Sequence, residues 1–309
     1  MSAGTHLIAA IDVGGTKIAV GLVDRAGRVI ARTETPSSGL YRYADAMAYF
    51  EATFVRLASD AGASLEGIGI GLTGRVDRRS GLLTENEFLP DWGKRDLCGD
   101  LSQLLGAGAA IENDADAAAL GEARWGAGQG CSAFLYVTVS TGIGGGLLVN
   151  GQVYRGSAGW HPEIGHMVIS DLPTACYCGA SGCWEQLACG PALAAWFAAQ
   201  GGAALTAGEI CALARQGDAL ALRAVAHGGY WIGRGLANLI NLFAPERIAL
   251  GGGVMRSWDQ FEPHARAVIA AACGFMVPHS LVEIVPARLG DDAPLAGAAA
   301  VWLQQLNAL

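Results

Sequence analysis

The stretch LIAAIDVGGTKIAVGLV, residues 7–23, decides the fold because it places two apolar runs on either side of a glycine-rich segment. Residues 7–13 and 18–23 have the length and composition of buried strands, and Gly14 and Gly15 permit a tight reversal between them. The pattern predicts a β-hairpin with a glycine-rich tip.

The same supersecondary unit occurs a second time. Residues 133–139 predict a strand, the segment STGIGGG at 140–146 predicts a glycine-rich turn, and residues 147–149 predict the return strand. Two such units predict a duplicated α/β architecture of two domains, with a cleft between them and the two glycine-rich turns facing one another.

Strands and helices alternate through the rest of the chain. Apolar runs predict strands over residues 67–72, 109–111 and 247–250, and the last of these leads into three consecutive glycines at 251–253. Helical spacing of apolar residues predicts helices over residues 43–61, 116–125, 191–200, 207–216, 218–243 and about 294–305.

Three glycine-rich turns at strand ends indicate a phosphate-binding protein. Backbone N–H groups in such turns point toward an anion, and glycine removes the Cβ that would hold the phosphate away. Asp12 adds a carboxylate for Mg2+, while Lys17 either contacts phosphate or is a solvated surface charge. The predicted phosphate and Mg2+ contacts are Asp12, Gly14, Gly15, Thr16, Lys17, Thr141, Gly142, Gly252 and Gly253.

The segment HMVISDLPTACYCGASGC, residues 166–183, has the ligand types and spacing of a zinc site. Cys176, Cys178 and Cys183 can supply three sulfur ligands, and His166 completes a tetrahedral set with no open position. The zinc is therefore predicted to be structural. Ordinary buried thiols are the alternative, which the close spacing of the four ligands disfavours. The remaining cysteines are assigned to packing: Cys98, Cys131, Cys189, Cys211 and Cys273.

Composition narrows the class of protein. A net charge of −8 and a pI near 5.2 disfavour a nucleic-acid partner, because binding phosphates requires clustered Lys and Arg. No apolar span is long enough to cross a bilayer and the first residues lack a signal-peptide pattern, so we expect a cytoplasmic enzyme with no membrane partner. The 309 residues are enough for two domains.

In combination these motifs resemble the ROK family of bacterial sugar kinases and repressors. The resemblance rests on residues 12–17, 112–114, 140–146, 163–166 and 176–185, and it extends from the first strand to the turn at Gly251. It implies an actin-like, ribonuclease H-like fold of two domains, a hexose substrate, ATP with Mg2+ as the phosphate donor, and a homodimer.

The resemblance also suggests where the domains begin and end. In the ROK family the final helix usually returns to the N-terminal domain. We therefore predict a smaller α/β domain of residues 1–120 joined by about 294–309, and a larger domain of residues 121–293 that carries the zinc motif.

Asp114 resembles the family's catalytic base. Phosphoryl transfer depends on positioning and charge stabilisation, and the N-terminus of the following helix would keep this carboxylate ionised. An N-cap role is the structural alternative. If Asp114 is the base, Asn113 would face the sugar.

Three further side chains resemble family residues that bind sugar hydroxyls: Glu163, His166 and Glu185. Carboxylates at fixed separation can read the stereochemistry of a polyol. His166 would place one ring nitrogen on zinc and the other on a sugar oxygen. The alternative for the two glutamates is a solvated surface charge. His161 is expected to be at most a loop residue at the site entrance.

The resemblance covers kinases and repressors, and it covers several sugar substrates. Repressors of the family carry a winged-helix domain before the first motif, and only about ten residues precede Asp12, so we expect a kinase; a non-catalytic sugar-binding protein is the second hypothesis.

Thr73 and Gly74 resemble N-acetylmannosamine kinases, whereas the segment from Asn86 to Trp92 resembles glucokinases, in which the Asn binds the sugar. We expect glucose, phosphorylated on its 6-hydroxyl, with N-acetylmannosamine or N-acetylglucosamine as alternatives. Gly74 and Asn86 are the residues near the substituent that distinguishes these sugars.

Overall fold

The chain forms two compact units. The computed structural model describes residues 5–74, 76–77, 80–85, 89–274 and 277–306. The first unit comprises Met1–Gln129, Val153–His161 and Arg288–Leu309, and the second comprises Gly130–Gln152 and Pro162–Ala287. The domain boundaries expected from the resemblance stay a prediction, and they did not anticipate that residues 153–161 belong to the first unit.

Each unit contains a five-stranded mixed sheet. The first sheet has the order β3-β2-β1-β4-β5, and the second has the order β10-β9-β6-β7-β8. The strands are β1 (Thr5–Val13), β2 (Lys17–Val23), β3 (Val29–Pro36), β4 (Ala63–Leu72), β5 (Ala109–Asn113), β6 (Ala133–Val139), β7 (Ile143–Val149), β8 (Gln152–Val153), β9 (Arg247–Gly251) and β10 (Glu283–Pro286).

Helices accompany both sheets. They are α1 (Tyr43–Ala61), α2 (Leu97–Leu105), α3 (Asp114–Trp125), α4 (Glu185–Ala188), α5 (Gly190–Ala199), α6 (Ala207–Arg215), α7 (Ala219–Phe243), α8 (Trp258–Ala272) and α9 (Ala293–Leu306). None of the helices in the described ranges combines the length and apolar composition that crossing a bilayer requires.

The two sheets repeat one arrangement of strands. β1 pairs antiparallel with β2 and parallel with β4, and β6 pairs antiparallel with β7 and parallel with β9. The central strands are buried because they have a neighbouring strand on each side and helices packed against the sheet, and for this reason they read as continuous apolar runs. The predicted duplication is therefore confirmed.

The second glycine-rich segment differs from its prediction. Only residues 140–142 form a turn, in which the Ser140 N–H donates to the Gly142 carbonyl oxygen at 2.8 Å. Residues 143–146 belong to β7, so the prediction of a turn over 140–146 was wrong. The reason is packing: a Cβ on Gly145 would overlap the side chain of Ile164, so this glycine serves close contact with a neighbouring segment.

Several elements were not predicted at all. They are β3, β8, β10, α2, α4 and α8. α8 contains Pro263, a residue type that disfavours the interior of a helix. Tertiary packing overrides that local signal, because Trp258, Phe261 and Ala265 on α8 are buried against the second sheet's core.

Small residues let α9 lie unusually close to the first sheet. Residues 295–303 of this helix are all buried, and the helix packs on β1, β4 and α3. A Cβ on Gly69 of β4 would overlap the carbonyl oxygen of Ala298, and a Cβ on Gly121 of α3 would lie 2.9 Å from Gly297. The backbone of α9 is therefore in direct contact with its neighbours.

We predict that Gly69→Ala destabilises the protein by about 1–3 kcal/mol, because the added methyl group must displace the backbone of α9. Equilibrium denaturant unfolding measures this change. Gly39→Ala is the matched control, since a Cβ at Gly39 meets nothing within 4 Å. Equal stability of the two variants would contradict the close approach of α9.

Candidate active site

Asp12 ends the apolar part of β1, directly before the first glycine turn. The Gly14 N–H donates to the Lys17 carbonyl oxygen at 3.0 Å, and the Ser37 hydroxyl donates to the Gly14 carbonyl oxygen at 2.7 Å. These bonds fix the hairpin tip beside Asp12. Burial, and then the negative charge of Asp114, raise the pKa of Asp12 to about 7.

A glycine on the neighbouring strand brings the two aspartates together. A Cβ on Gly71 of β4 would lie 3.3 Å from Asp12 Oδ1 and 3.5 Å from Asp114 Cα. Because β1, β4 and β5 run parallel, their carboxyl ends meet at one edge of the sheet. The structure therefore places the predicted Mg2+ ligand close to the predicted base.

Asn113 is the N-cap of α3. Its side-chain oxygen accepts hydrogen bonds from the backbone N–H groups of Ala115 at 2.9 Å and Asp116 at 3.3 Å. Asp114 is thus the first residue of the helix, and its Oδ1 accepts from the Ala115 N–H at 2.8 Å. The N-cap alternative for Asp114 is wrong, because its neighbour already makes those bonds. The carboxylate lies at the positive end of the helix dipole.

The second and third glycine turns lie side by side in the second unit. A Cβ on Gly252, whose φ is 88°, would overlap the carbonyl oxygen of Val139 at the end of β6. A Cβ on Gly253 would lie 3.8 Å from Ser140 Oγ. The glycines after β9 are thus packed directly against the start of the turn at 140–142.

These turns form one wall of a cavity of about 680 Å³ within the second unit. Ser140, Thr141 and Gly253 line it on the turn side. Its other walls come from α5, α6 and the segment before α6, through residues that include Ala194, Leu205 and Thr206. Sequence reasoning missed these helices as part of a site. The available signal was the pair of alanines at 194 and 198, one helical turn apart on α5.

The four predicted zinc ligands come together. One ligand atom from each of His166, Cys176, Cys178 and Cys183 lies within 4.8 Å of the other three. Nδ1 of His166 is 3.5 Å from the Cys176 sulfur, and the Cys178 and Cys183 sulfurs are 3.6 Å apart. Burial, and then the adjacent thiols, raise the pKa of Cys183 to about 12. Several thiolates can coexist here only around a cation, so the donor set fits zinc.

Backbone contacts hold this cluster in place. A Cβ on Gly165 would overlap the carbonyl oxygen of Ile143, so the turn that carries His166 packs closely on β7. Trp184, next to the last ligand, is fully buried and donates its indole N–H to the Trp231 carbonyl oxygen on α7 at 2.9 Å. The cluster is thus attached to the second sheet on one side and to α7 on the other.

The predicted sugar-binding side chains of this unit have different environments. Glu185 is buried, and its Oε2 accepts a hydrogen bond from the Ile143 N–H at 2.9 Å; a Cβ on Gly142 would overlap the same oxygen. Glu185 is therefore not a solvated surface charge, whereas Glu163 is exposed. Nε2 of His166 lies 3.1 Å from the hydroxyl of Tyr177, a residue that sequence reasoning missed because it lies between two zinc ligands.

The remaining predicted residues have varied environments. Lys17 is exposed and pairs with Glu34 at 3.2 Å, as expected for its solvated alternative. Gly15 and Thr16 lie at the hairpin tip, and Gly74 has a φ of 105°, a conformation that favours glycine. Asn86 lies outside the described residues. Of the packing cysteines, Cys189, Cys211 and Cys273 are buried and Cys98 and Cys131 are half-buried.

Comparisons with known proteins identify the family of the chain. A model of the ROK family matches residues 8–305. Glucokinase from Streptomyces coelicolor is 31% identical, over 94% of this chain and 95% of that protein. The solved ROK hexokinase from Thermus thermophilus is 33% identical with a TM-score of 0.80, over 97% of this chain and 99% of that one.

A second solved structure shows the ligands of a relative. The ROK family glucokinase from Streptomyces griseus, in complex with glucose and AMPPNP, is 31% identical with a TM-score of 0.81, over 97% of this chain and 99% of that one. These similarities confirm the predicted duplicated, actin-like ATPase fold. The chain belongs to the ROK family.

Proposed function

We propose that this protein transfers the γ-phosphoryl group of ATP to the 6-hydroxyl of a hexose, and that the hexose is glucose. Its coarser class, an ATP-dependent sugar kinase, follows from its family and from its kinase relatives. The observation that carries the proposal is the adjacency of Asp12 and Asp114 at the carboxyl ends of neighbouring strands, beside a glycine turn.

The cavity in the second unit supports a nucleotide as donor. Glycine turns offer backbone N–H groups to phosphates, and the small and apolar residues of α5 and its surroundings offer a surface for a purine. A polyphosphate chain has no apolar part that could pack against the apolar walls of this cavity. We therefore assign Thr141, Gly142, Gly252 and Gly253 to the phosphates of ATP and the α5 side to its base.

Asp114 is proposed as the general base. Its carboxylate accepts a hydrogen bond from the attacking sugar hydroxyl and takes the proton as the new O–P bond forms and the bond to the ADP oxygen breaks. The helix dipole of α3 stabilises the ionised carboxylate that this role requires. Asn113 retains its side-chain NH2 group for the sugar, since its oxygen caps the helix.

Asp12 is proposed to hold Mg2+. Its raised pKa reflects a buried carboxylate beside a second one, an environment in which a cation is the natural partner. When bound, Mg2+ neutralises charge on the β- and γ-phosphates. Gly14, Gly15 and Thr16 form the turn that would approach those phosphates, and Lys17 would need to leave Glu34 to join them.

The zinc cluster is proposed to support the side chains that bind the sugar. When bound, zinc would hold His166 and the cysteine loop in one arrangement. Nε2 of His166, together with Glu163 and Glu185, would bind sugar hydroxyls; the Tyr177 hydroxyl already lies at that nitrogen. Glu185 in addition fixes the turn at 140–142. One carboxylate therefore connects the proposed sugar-binding side chains with the turn that is proposed to bind phosphate.

The alternative substrates are N-acetylmannosamine, which the resemblance at Thr73 and Gly74 favours, and N-acetylglucosamine. The homodimer implied by the resemblance stays a prediction.

We predict the highest kcat/KM for glucose with ATP in a coupled assay that also includes mannose, fructose, N-acetylmannosamine and N-acetylglucosamine. The preference over either N-acetylhexosamine should be at least about tenfold, the usual effect of one misfitting substituent. Polyphosphate in place of ATP is the donor control. Saturable sugar binding without turnover of any sugar would favour a sugar-binding protein.

Asp114→Asn should lower kcat by about 10²–10⁴-fold, because the amide cannot accept the proton. Calorimetry should give a sugar Kd close to that of the wild type. Asp45→Asn, which changes an exposed acid in the first turn of α1, is the control and should keep full turnover. Near-normal turnover of Asp114→Asn would remove Asp114 from the mechanism.

Elemental analysis should find one zinc per chain in the wild type, and Cys178→Ser should lose both the zinc and sugar affinity, because three ligands hold the metal weakly. Cys98→Ser, outside the cluster, is the control. A wild-type protein that contains no metal would refute the zinc assignment.

A further inference from the structure

A buried cluster of charged side chains lies at the start of α3. Arg155 donates through Nη2 to Glu112 Oε2, and its Nη1 lies 2.8 Å from Asp116 Oδ2. Nδ1 of His161 lies 3.5 Å from the same Asp116 oxygen. The exposed fractions of these four side chains are 18%, 14%, 0% and 9% in the order Arg155, Glu112, Asp116 and His161. His161 lies in a loop, as expected, and its side chain belongs to this cluster; a place at the site entrance stays a prediction.

The two carboxylates of the cluster bracket Asp114. Glu112 lies two residues before it, on β5, and Asp116 lies two residues after it, in the first turn of α3. The guanidinium group of Arg155 therefore contacts one residue on each side of Asp114, the first on β5 and the second in the first turn of α3. A planar group with one nitrogen hydrogen-bonded to Glu112 and the other in an ion pair with Asp116 defines the separation and the relative orientation of its two partners.

Stability alone does not account for the cluster. Asp116 is surrounded in the sequence by buried alanines, and an apolar residue there would avoid the cost of burying a charge. Burial raises the pKa of Asp116 to about 7, against the opposing effects of Arg155 and His161. A buried ionic network in this position fits a requirement for a fixed geometry.

We propose that Arg155 is a positioning residue for phosphoryl transfer, which holds Glu112 and Asp116 and thereby fixes the backbone that carries the Asp114 carboxylate, with His161 supporting Asp116. The proposal rests on the role of Asp114 given above. It assigns a function to residues 153–161, the segment that joins the first unit although the chain on either side belongs to the second.

The test compares Arg155→Gln and Arg155→Lys with Arg25→Gln, which removes an exposed Arg–Glu pair of the same unit. Arg155→Gln should lower kcat by about 10²-fold, as expected for displacement of a catalytic group by about 1 Å, while sugar Kd and the KM for ATP stay close to wild type. Arg155→Lys should recover part of the loss, since it keeps the charge but not the two-point contact. Arg25→Gln should have wild-type kinetics.

A second variant separates positioning from charge balance. Glu112→Gln, Asp116→Asn and Arg155→Gln together leave no buried charge unpaired, so this triple variant should fold even where Arg155→Gln alone is too unstable to purify. Its kcat should stay about 10²-fold low. Hydrogen exchange should be faster at the amides of residues 113–116 and unchanged in the second unit.

Wild-type kcat in the triple variant, or unchanged exchange at residues 113–116 in every Arg155 variant, would overturn the proposal. Loss of sugar affinity in step with kcat would also overturn it, because that pattern indicates a general structural role. These outcomes differ from failure of the proposed function, in which the wild-type protein itself shows no sugar-kinase turnover.

Discussion

The direct backbone contact of α9 with β4 and α3 is the constraint on which the first unit depends. Gly69, Gly121 and Gly297 permit it, and larger residues at these positions would move the helices away from the sheet. Because α3 starts with Asp114, the position of that carboxylate follows from how closely α3 packs. Gly71 extends the same principle to the contact between Asp12 and the start of α3. Small residues therefore determine the distance between the two acids.

In the second unit, different backbone contacts fix the position of the proposed binding residues Glu185 and His166. Glycines bring the turn of His166 onto β7, and Glu185 bonds to the backbone at the end of the glycine turn. The cysteine cluster then joins these segments to α7 through Trp184. Glu185 and the turn that carries His166 are thus held by neighbouring backbone, which limits their freedom before any ligand arrives.

The sequence predicts the strongly patterned parts of the fold well and the closely packed parts poorly. The hairpin over residues 7–23 and the helix over 43–61 follow from continuous apolar runs and from helical spacing. β7 was predicted too short because a glycine that serves packing resembles a glycine that serves a turn. The Arg155 cluster could not be foreseen, since its acidic members and its basic members are separated by about 40 residues and meet only through the tertiary fold.

In the proposed mechanism, Asp114 receives the proton of a sugar hydroxyl while ATP lies along the glycine turns of the second unit. A crystal structure with glucose, Mg2+ and a non-hydrolysable ATP analogue tests it most directly. The account predicts a glucose hydroxyl within hydrogen-bonding distance of the Asp114 carboxylate, and the purine against α5 beside residues 140–142. Glucose bound with every hydroxyl out of reach of Asp114, or the nucleotide bound away from the cavity, would contradict it.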